Sequence, residues 1–224
     1  AGGFLPRRAK SPDRLLRGAV RIFFRKKSYL WPPESGPEPG FPQNAMPMNQ
    51  HPEWSYGAVL YEMNVRQLTP EGTLRAAAAR LEFLRDLGVD AVWLMPIYPI
   101  GKKNRKGTLG SYYSIRDYCA VNPELGTMDD FDDLVAEAHR LGMKVLMDWV
   151  ANHTSPDARW IEERPADWYV RDSLGNTIVQ YDWTDIAKLD YGNADMRAAM
   201  AAAMRFWLDR GIDGFRCDMA CEVP

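Results

Sequence analysis

The feature that most restricts how this sequence can fold is a unit that occurs three times: an amphipathic helix pattern, a glycine and a short apolar run. The helix patterns cover about residues 73–87, begin again near Thr127, and begin a third time near Asn193. Each is followed by the residue type that commonly ends a helix in the left-handed conformation, at Gly88, Gly142 and Gly211. The apolar runs that come next are typical of parallel strands buried on both faces.

A further strand pattern at residues 58–63 precedes the first unit, so the predicted order is β-α-β-α-β-α-β. Right-handed crossovers between these strands would build one parallel sheet. Strands one and two begin about 30 residues apart, as a plain βα unit requires. Strands three and four are much further apart, and the surplus is a polar, aromatic-rich insertion at residues 152–192.

Polar side chains stand at the carboxyl ends of predicted strands three and four. Asp148 and His153 follow strand three, and Arg216 and Asp218 end strand four. Alternation along a strand places Arg216 and Asp218 on the same side. An arginine is rarely buried without an acceptor, and its charge keeps a neighbouring carboxylate ionised, as a nucleophile requires. The arrangement favours an active site at the carboxyl face of a β/α barrel.

Each of these residues also has an ordinary structural explanation. A single Asp at a strand end is more often a helix cap or a turn former, and a single His is more often structural. Arg216 could equally serve in a structural ion pair. The case for a site therefore comes from the combination of residues and not from any one of them.

In combination, these residues resemble the α-amylase family, glycoside hydrolase family thirteen. Residues 148–153, DWVANH, are similar to the family's strand-three motif D-x-x-x-N-H, and residues 214–218, GFRCD, are similar to its strand-four motif G-x-R-x-D. Residues 92–97 resemble its strand two, and residues 112–127 resemble the segment that follows that strand. The resemblance covers about residues 57–224, with the motifs in the family's order.

The fold that the resemblance implies is α/β: strands one to four of a (β/α)8 TIM barrel. Residues 152–192 would be a short form of the family's domain B, inserted after strand three. Residues 58–224 would then be the amino-terminal half of the catalytic barrel. Residues 1–57, basic and then rich in proline, are predicted to be a disordered leader or non-native sequence. A membrane-surface helix, a transit peptide and a basic arm are the alternatives for its basic part.

The activity that the resemblance implies is hydrolysis or transglycosylation of α-glucosidic bonds, with retention, through a covalent glycosyl-Asp intermediate. Asp218 would be the nucleophile, and Arg216 would orient it through a planar, two-pronged guanidinium. Tyr113 would stack on the sugar, and His153 would bond a sugar hydroxyl. Asp148 would brace the site. The substrate would be an α-glucan or an α-glucoside.

Two departures from the family pattern limit what can be carried over. Tyr112-Tyr113-Ser114 stands where many members have Gly-Tyr-Asp, so one sugar contact is missing. The family's general acid, a Glu after strand five, and its second Asp with a His after strand seven would lie beyond Pro224. We therefore expect the 224-residue chain by itself to be inactive.

The expectation for metals is that no cofactor is required. Asn152 corresponds to a calcium ligand in some members of the family, so Ca²⁺ at Asn152 stays open. One oxygen cannot make the six to eight ligands that calcium takes, and the sequence has no D-x-[DN]-x-[DN]-G loop.

Charge and composition restrict the partners and the compartment. The first 30 residues hold nine Lys and Arg against Asp13 alone; since the whole chain carries −2, the remainder carries −10. An acidic body argues against nucleic acid as the main ligand. No apolar run approaches the roughly 18 residues of a membrane span. The absence of a good signal-peptide core and of a cysteine spacing pattern favours the cytoplasm.

Two other classes of protein remain alternatives. One is a carbohydrate-binding pseudoenzyme that keeps the nucleophile and has lost catalysis elsewhere. The other is a metal-dependent β/α-barrel isomerase, which would need clustered carboxylates and histidines. Of the three histidines, only His153 follows a predicted strand.

Overall fold

The centre of the fold is a parallel sheet, in a computed structural model that describes residues 51–223. The four strands of this sheet are β1 (Leu60–Met63), β2 (Ala91–Leu94), β3 (Lys144–Val150) and β6 (Gly214–Asp218). They are neighbours in the order β1-β2-β3-β6, and all three pairs are parallel. The predicted α/β fold, with four parallel strands in sequence order, is confirmed.

Helices connect the strands. Within the described residues they are α1 (Val65–Leu68), α2 (Leu74–Ala78), α3 (Leu81–Asp86), α4 (Met128–Arg140), α5 (Arg159–Glu163) and α6 (Ala194–Leu208). Short 3-10 helices occur at Glu53–Ser55, Ala166–Trp168 and Ala220–Glu222. Over residues 51–223, each of these helices is too short or too polar to cross a bilayer.

The two long helices begin and end where the sequence indicates. The Thr127 hydroxyl accepts the Asp130 backbone N–H, and the Asp130 carboxylate accepts the Thr127 N–H, so the two form a capping box at the start of α4. The side chain of Asn193 caps α6. Gly142 and Gly211 follow these helices with φ of 76° and 94°, values that favour glycine.

The predicted single helix over residues 73–87 is wrong, because the structure divides it into α2 and α3. At the break the Arg80 N–H donates to the carbonyl of Ala77, three residues back, at 2.9 Å. This tighter turn interrupts the regular α-helical pattern. The apolar face of the two helices is nevertheless buried in the core, at Leu74, Ala77, Leu81 and Leu84. The short α1 before it was not predicted.

In the segment between β3 and α6, a short strand near the beginning pairs with a short strand near the end. Two short antiparallel strands, β4 (His153–Thr154) and β5 (Ala187–Lys188), pair so that His153 lies opposite Lys188. The assignment of residues 152–192 to a domain B stays a prediction. Most of the predicted leader, residues 1–50, lies outside the described residues.

Buried tyrosines fix the backbone at the end of β3. The Tyr98 hydroxyl donates to the carbonyl of Asp148 at 3.0 Å. The Tyr118 hydroxyl lies 2.7 Å from the carbonyl of Val150 and 2.9 Å from that of His153. Both tyrosines are almost fully buried. The backbone that carries Asp148 and His153 is therefore fixed by hydrogen bonds from tyrosine side chains of the core.

We expect Tyr118→Phe to destabilise the protein by about 1–3 kcal/mol, since two buried carbonyls lose a shared donor. Urea unfolding measures the change in the free energy of unfolding. Tyr56→Phe removes a hydroxyl from a side chain that is 69% exposed and is the control. Equal stabilities for the two variants would contradict this account.

Candidate active site

The centre of the candidate site is one arginine between two carboxylates. Asp148 and Arg216 lie opposite each other on β3 and β6, and Asp218 follows two residues later on the same side of the strand. Nη1 of Arg216 lies 3.1 and 3.2 Å from the two Asp148 carboxylate oxygens and 2.9 Å from Asp218 Oδ1. The guanidinium does not bind either carboxylate through two nitrogens, because Nη1 alone reaches both.

Trp93 on β2 holds the same group from another strand. Its indole N–H donates to Asp148 Oδ2 at 3.1 Å. The guanidinium of Arg216 stacks over its ring, 4.7 Å from the centroid. The planar shape of arginine is therefore used for stacking on Trp93, while its Nη1 makes the charged contacts.

Burial sets the protonation of Asp148. The side chain has no exposed surface, and this burial raises its pKa to about 6, against the opposing effects of Arg216 and of the Trp93 hydrogen bond. Asp218 is different in its surroundings, since its side chain is 16% exposed. Asp148 is thus the enclosed carboxylate, and Asp218 is the accessible one.

Tyr113 reaches this centre from the long segment between β2 and α4. Its hydroxyl lies 3.4 Å from Asp148 Oδ2, and burial raises its pKa above the ordinary value. This segment also packs closely on the insertion, because Gly101 lies directly against Ser155 and Asp157. A Cβ at Gly101 would lie 2.3 Å from the Ser155 Cβ and 2.6 Å from Asp157 Oδ1, so only glycine fits there.

His153 accepts a hydrogen bond from Asn152, which also donates to Gln180. The Asn152 amide nitrogen donates to Nδ1 of His153 at 3.2 Å and to Gln180 Oε1 at 2.6 Å. Burial lowers the pKa of His153, which favours the neutral imidazole. With Nδ1 accepting, the ring proton is assigned to Nε2, so the histidine can donate a hydrogen bond from that side.

A cavity of about 350 Å³ brings these groups together. Its wall includes Ser111, Tyr113, His153, Trp183, Asp218 and Met219. Three of the predicted site residues, Tyr113, His153 and Asp218, thus line one space, while Asp148 and Arg216 contact Asp218 or its partners outside that lining. The size and the mixture of aromatic and polar groups suit a sugar-sized ligand.

The described residues do not test the expected calcium at Asn152. The Asn152 amide nitrogen donates to two side chains, so Oδ1 is the atom that would bind calcium, and residues 51–223 contain no group of three or more His, Cys, Asp and Glu placed to hold a metal. Calcium takes six to eight oxygen ligands. Calcium at Asn152 therefore stays a prediction from the resemblance.

Two aromatic residues of the site were missed by sequence reasoning. Trp93 was assigned only to an apolar strand, although its position near the end of β2 would bring it to the same edge of the sheet as Asp148. Trp183 lies in the insertion, and its ring centroid is 5.8 Å from that of His153. No pattern in the sequence indicates that contact.

A parallel sheet with an enclosed and an accessible carboxylate at its carboxyl edge defines a β/α-barrel type of site. The sequence model of the α-amylase family's catalytic domain matches residues 44–176 and 164–223 of this chain. The chain belongs to the α-amylase family.

Relatives with assigned names cover most of this chain. A probable α-glucosidase of Rhizobium meliloti is 34% identical over 74% of this chain and 36% of its own length. An oligo-1,6-glucosidase of Bacillus cereus is 32% identical over 75% and 35%. The chain thus spans a little over a third of the length of these relatives.

Solved structures agree with the fold. An α-amylase from Lactobacillus plantarum is 44% identical with a TM-score of 0.72, over 74% of this chain and 39% of that one. A maltogenic α-amylase from Thermotoga neapolitana is 40% identical with a TM-score of 0.71, over 75% and 40%. The predicted partial TIM barrel is confirmed.

The raised pKa of Asp148 predicts a pH-dependent stability. Because the folded pKa of about 6 lies above the ordinary value of 3.8, the folded state binds more protons between these values, and stability falls as the pH rises from about 4 to 6. The loss is at most on the order of 3 kcal/mol. Asp148→Asn should lack this fall, measured by urea unfolding at pH 4 to 7.

Asp133→Asn, which removes an exposed carboxylate from α4, is the control and should keep the wild-type fall. If the wild type and Asp148→Asn differ by the same amount at every pH, Asp148 does not titrate as described.

Proposed function

We propose that the full-length protein is a retaining glycosidase or transglycosylase of α-glucosides, with Asp218 as the nucleophile. The observation that carries the proposal is the contact of Arg216 Nη1 with Asp218 Oδ1 at the wall of a sugar-sized cavity. The names of the relatives, among them an α-glucosidase and an oligo-1,6-glucosidase, support α-glucosidic bonds as the target.

The first half of the reaction forms a bond from Asp218 to the sugar. Arg216 holds Oδ1, so Oδ2 is the oxygen available to attack the anomeric carbon. The glycosidic C–O bond breaks as the new ester bond forms, and a carboxylic acid protonates the departing oxygen. Water or a sugar hydroxyl then attacks the same carbon from the face that the leaving group left and gives its proton to the carboxylate that acted as the acid. The bond to Asp218 Oδ2 breaks, the Asp218 carboxylate is restored, and the configuration is retained.

Asp148 is not suited to the role of that acid. Both of its oxygens contact Arg216, one also accepts from Trp93, and the side chain has no exposed surface. Its role in the proposal is to fix Arg216 and, through Arg216, Asp218. The acid would be the family's Glu after strand five, so we propose that the 224-residue chain alone has no turnover.

Tyr113 and His153 are proposed to bind the sugar. The Tyr113 ring stands at the cavity wall beside Asp218, where a sugar face can stack on it. His153 can donate from Nε2 to a sugar hydroxyl, and its neutral state avoids a second cation beside the developing oxocarbenium ion. These contacts would align the anomeric carbon with Asp218.

Trapping of the covalent intermediate tests the assignment of Asp218. A 5-fluoro-α-glucosyl fluoride reacts quickly with a retaining nucleophile, and its fluorine slows the second step. Mass spectrometry of the full-length protein should find the added glycosyl group on the peptide that contains Asp218, and Asp218→Asn should lack it. Label on another carboxylate would disprove the assignment. A folded protein that binds glucosides and takes up no label would be the pseudoenzyme.

The role of Arg216 can be separated from its contribution to stability. Arg216→Lys keeps a positive charge and donors but loses the stack on Trp93, so it should misplace Asp218. We expect a loss on the order of 10²-fold in kcat with a Tm near that of the wild type. A fall in Tm with an unchanged kcat of the folded fraction would show that the role is structural.

A further inference from the structure

The short 3-10 helix after Asp218 contacts the insertion through one carboxylate. Glu222 accepts a hydrogen bond from the Tyr181 hydroxyl at 2.9 Å, and its other oxygen lies 3.6 Å from Lys188 Nζ. The Tyr181 hydrogen bond is the largest of the effects that lower the pKa of Glu222. The side chains of Glu222 and Lys188 are each 27% exposed, so the ion pair is partly shielded from water, whereas Tyr181 is 65% exposed. None of these three residues has a part in the function proposed above.

The contact joins two turns with an uncommon backbone conformation. Met219, the residue directly after Asp218, has φ of 47°, and Tyr181 has φ of 54°. Within residues 51–223, only Asn104 is a further non-glycine residue with positive φ. Such conformations are costly for residues with side chains and persist where the surroundings hold them.

The partners of Glu222 belong to the elements that build one wall of the cavity. Lys188 lies opposite His153 in the ladder of β4 and β5. The ring of Tyr181 packs against Trp183 at a centroid distance of 5.0 Å, and Trp183 lies beside His153. Both Trp183 and His153 line the cavity. A movement of Glu222 would therefore be transmitted to the sugar-binding side of the cavity.

We infer that Glu222, Tyr181 and Lys188 form a latch that fixes the insertion wall of the cavity relative to Asp218. Glu222 is then a positioning residue: it contacts no substrate and acts through His153 and Trp183. The distance between the nucleophile and the sugar contacts is set on one side by Arg216 and on the other by this latch. The inference rests on the proposed function, since the latch aligns the groups that the proposed reaction uses.

Kinetics of the full-length protein with an aryl α-glucoside test the latch. Glu222→Ala removes both contacts and should lower kcat/KM on the order of tenfold, mainly through kcat, with a Tm near that of the wild type. Tyr181→Phe removes one contact and should lower it less. The double variant should lose no more than Glu222→Ala, because both changes break the same latch.

Glu163→Gln is the matched control, since it breaks an ion pair with Arg159 elsewhere in the insertion and should leave kcat and KM unchanged. Wild-type kinetics in Glu222→Ala, a loss confined to Tm, or additive losses in the double variant would each overturn the inference.

Hydrogen exchange separates failure of the latch from failure of the proposed function. In Glu222→Ala, amide exchange should rise both in residues 177–190 and in residues 219–223, and in Glu163→Gln it should rise in neither. This result supports the latch even if the wild-type protein has no glycosidase activity. Unchanged exchange in residues 177–190 would overturn the latch even if the wild type is active.

Discussion

The site depends on the position of one guanidinium group. Arg216 stands between a carboxylate without exposed surface and a carboxylate at a cavity wall, and a tryptophan from a third strand lies under its plane. Burying Asp148 without a cation would be costly, and Arg216, whose side chain is only partly buried, supplies that cation. The three strands β2, β3 and β6 must therefore meet in the observed register for any of these groups to be accommodated.

The strand ends were predictable because the physical rules involved are local. Gly142 and Gly211 mark helix ends through backbone conformation, and the apolar runs after them mark buried parallel strands. Alternation alone placed Arg216 and Asp218 on one side of their strand. The parallel order then brought Asp148 to the same edge, so the centre of the site followed from pattern and topology.

The remaining contacts join residues that are far apart in the sequence and have no periodic signal. The Trp93 indole reaches Asp148 across 55 residues, and Tyr181 reaches Glu222 across 41. The stack of Arg216 on Trp93 and the use of Nη1 for both carboxylates also join different strands, so sequence patterns do not indicate them. The division of the first helix at Arg80 likewise depends on one backbone hydrogen bond that no residue preference indicates.

The close contact of Gly101 with the insertion restricts which substitutions this sequence can accept. The missing side chain there is required by space, because the Ser155 Cβ and Asp157 Oδ1 already occupy the place of a Cβ. Compensation would need a second change in the insertion, and serine is already among the smallest residues. Position 101 is therefore closed to single substitutions, and at this point the segment that carries Tyr113 and the insertion that carries His153 constrain each other's sequence.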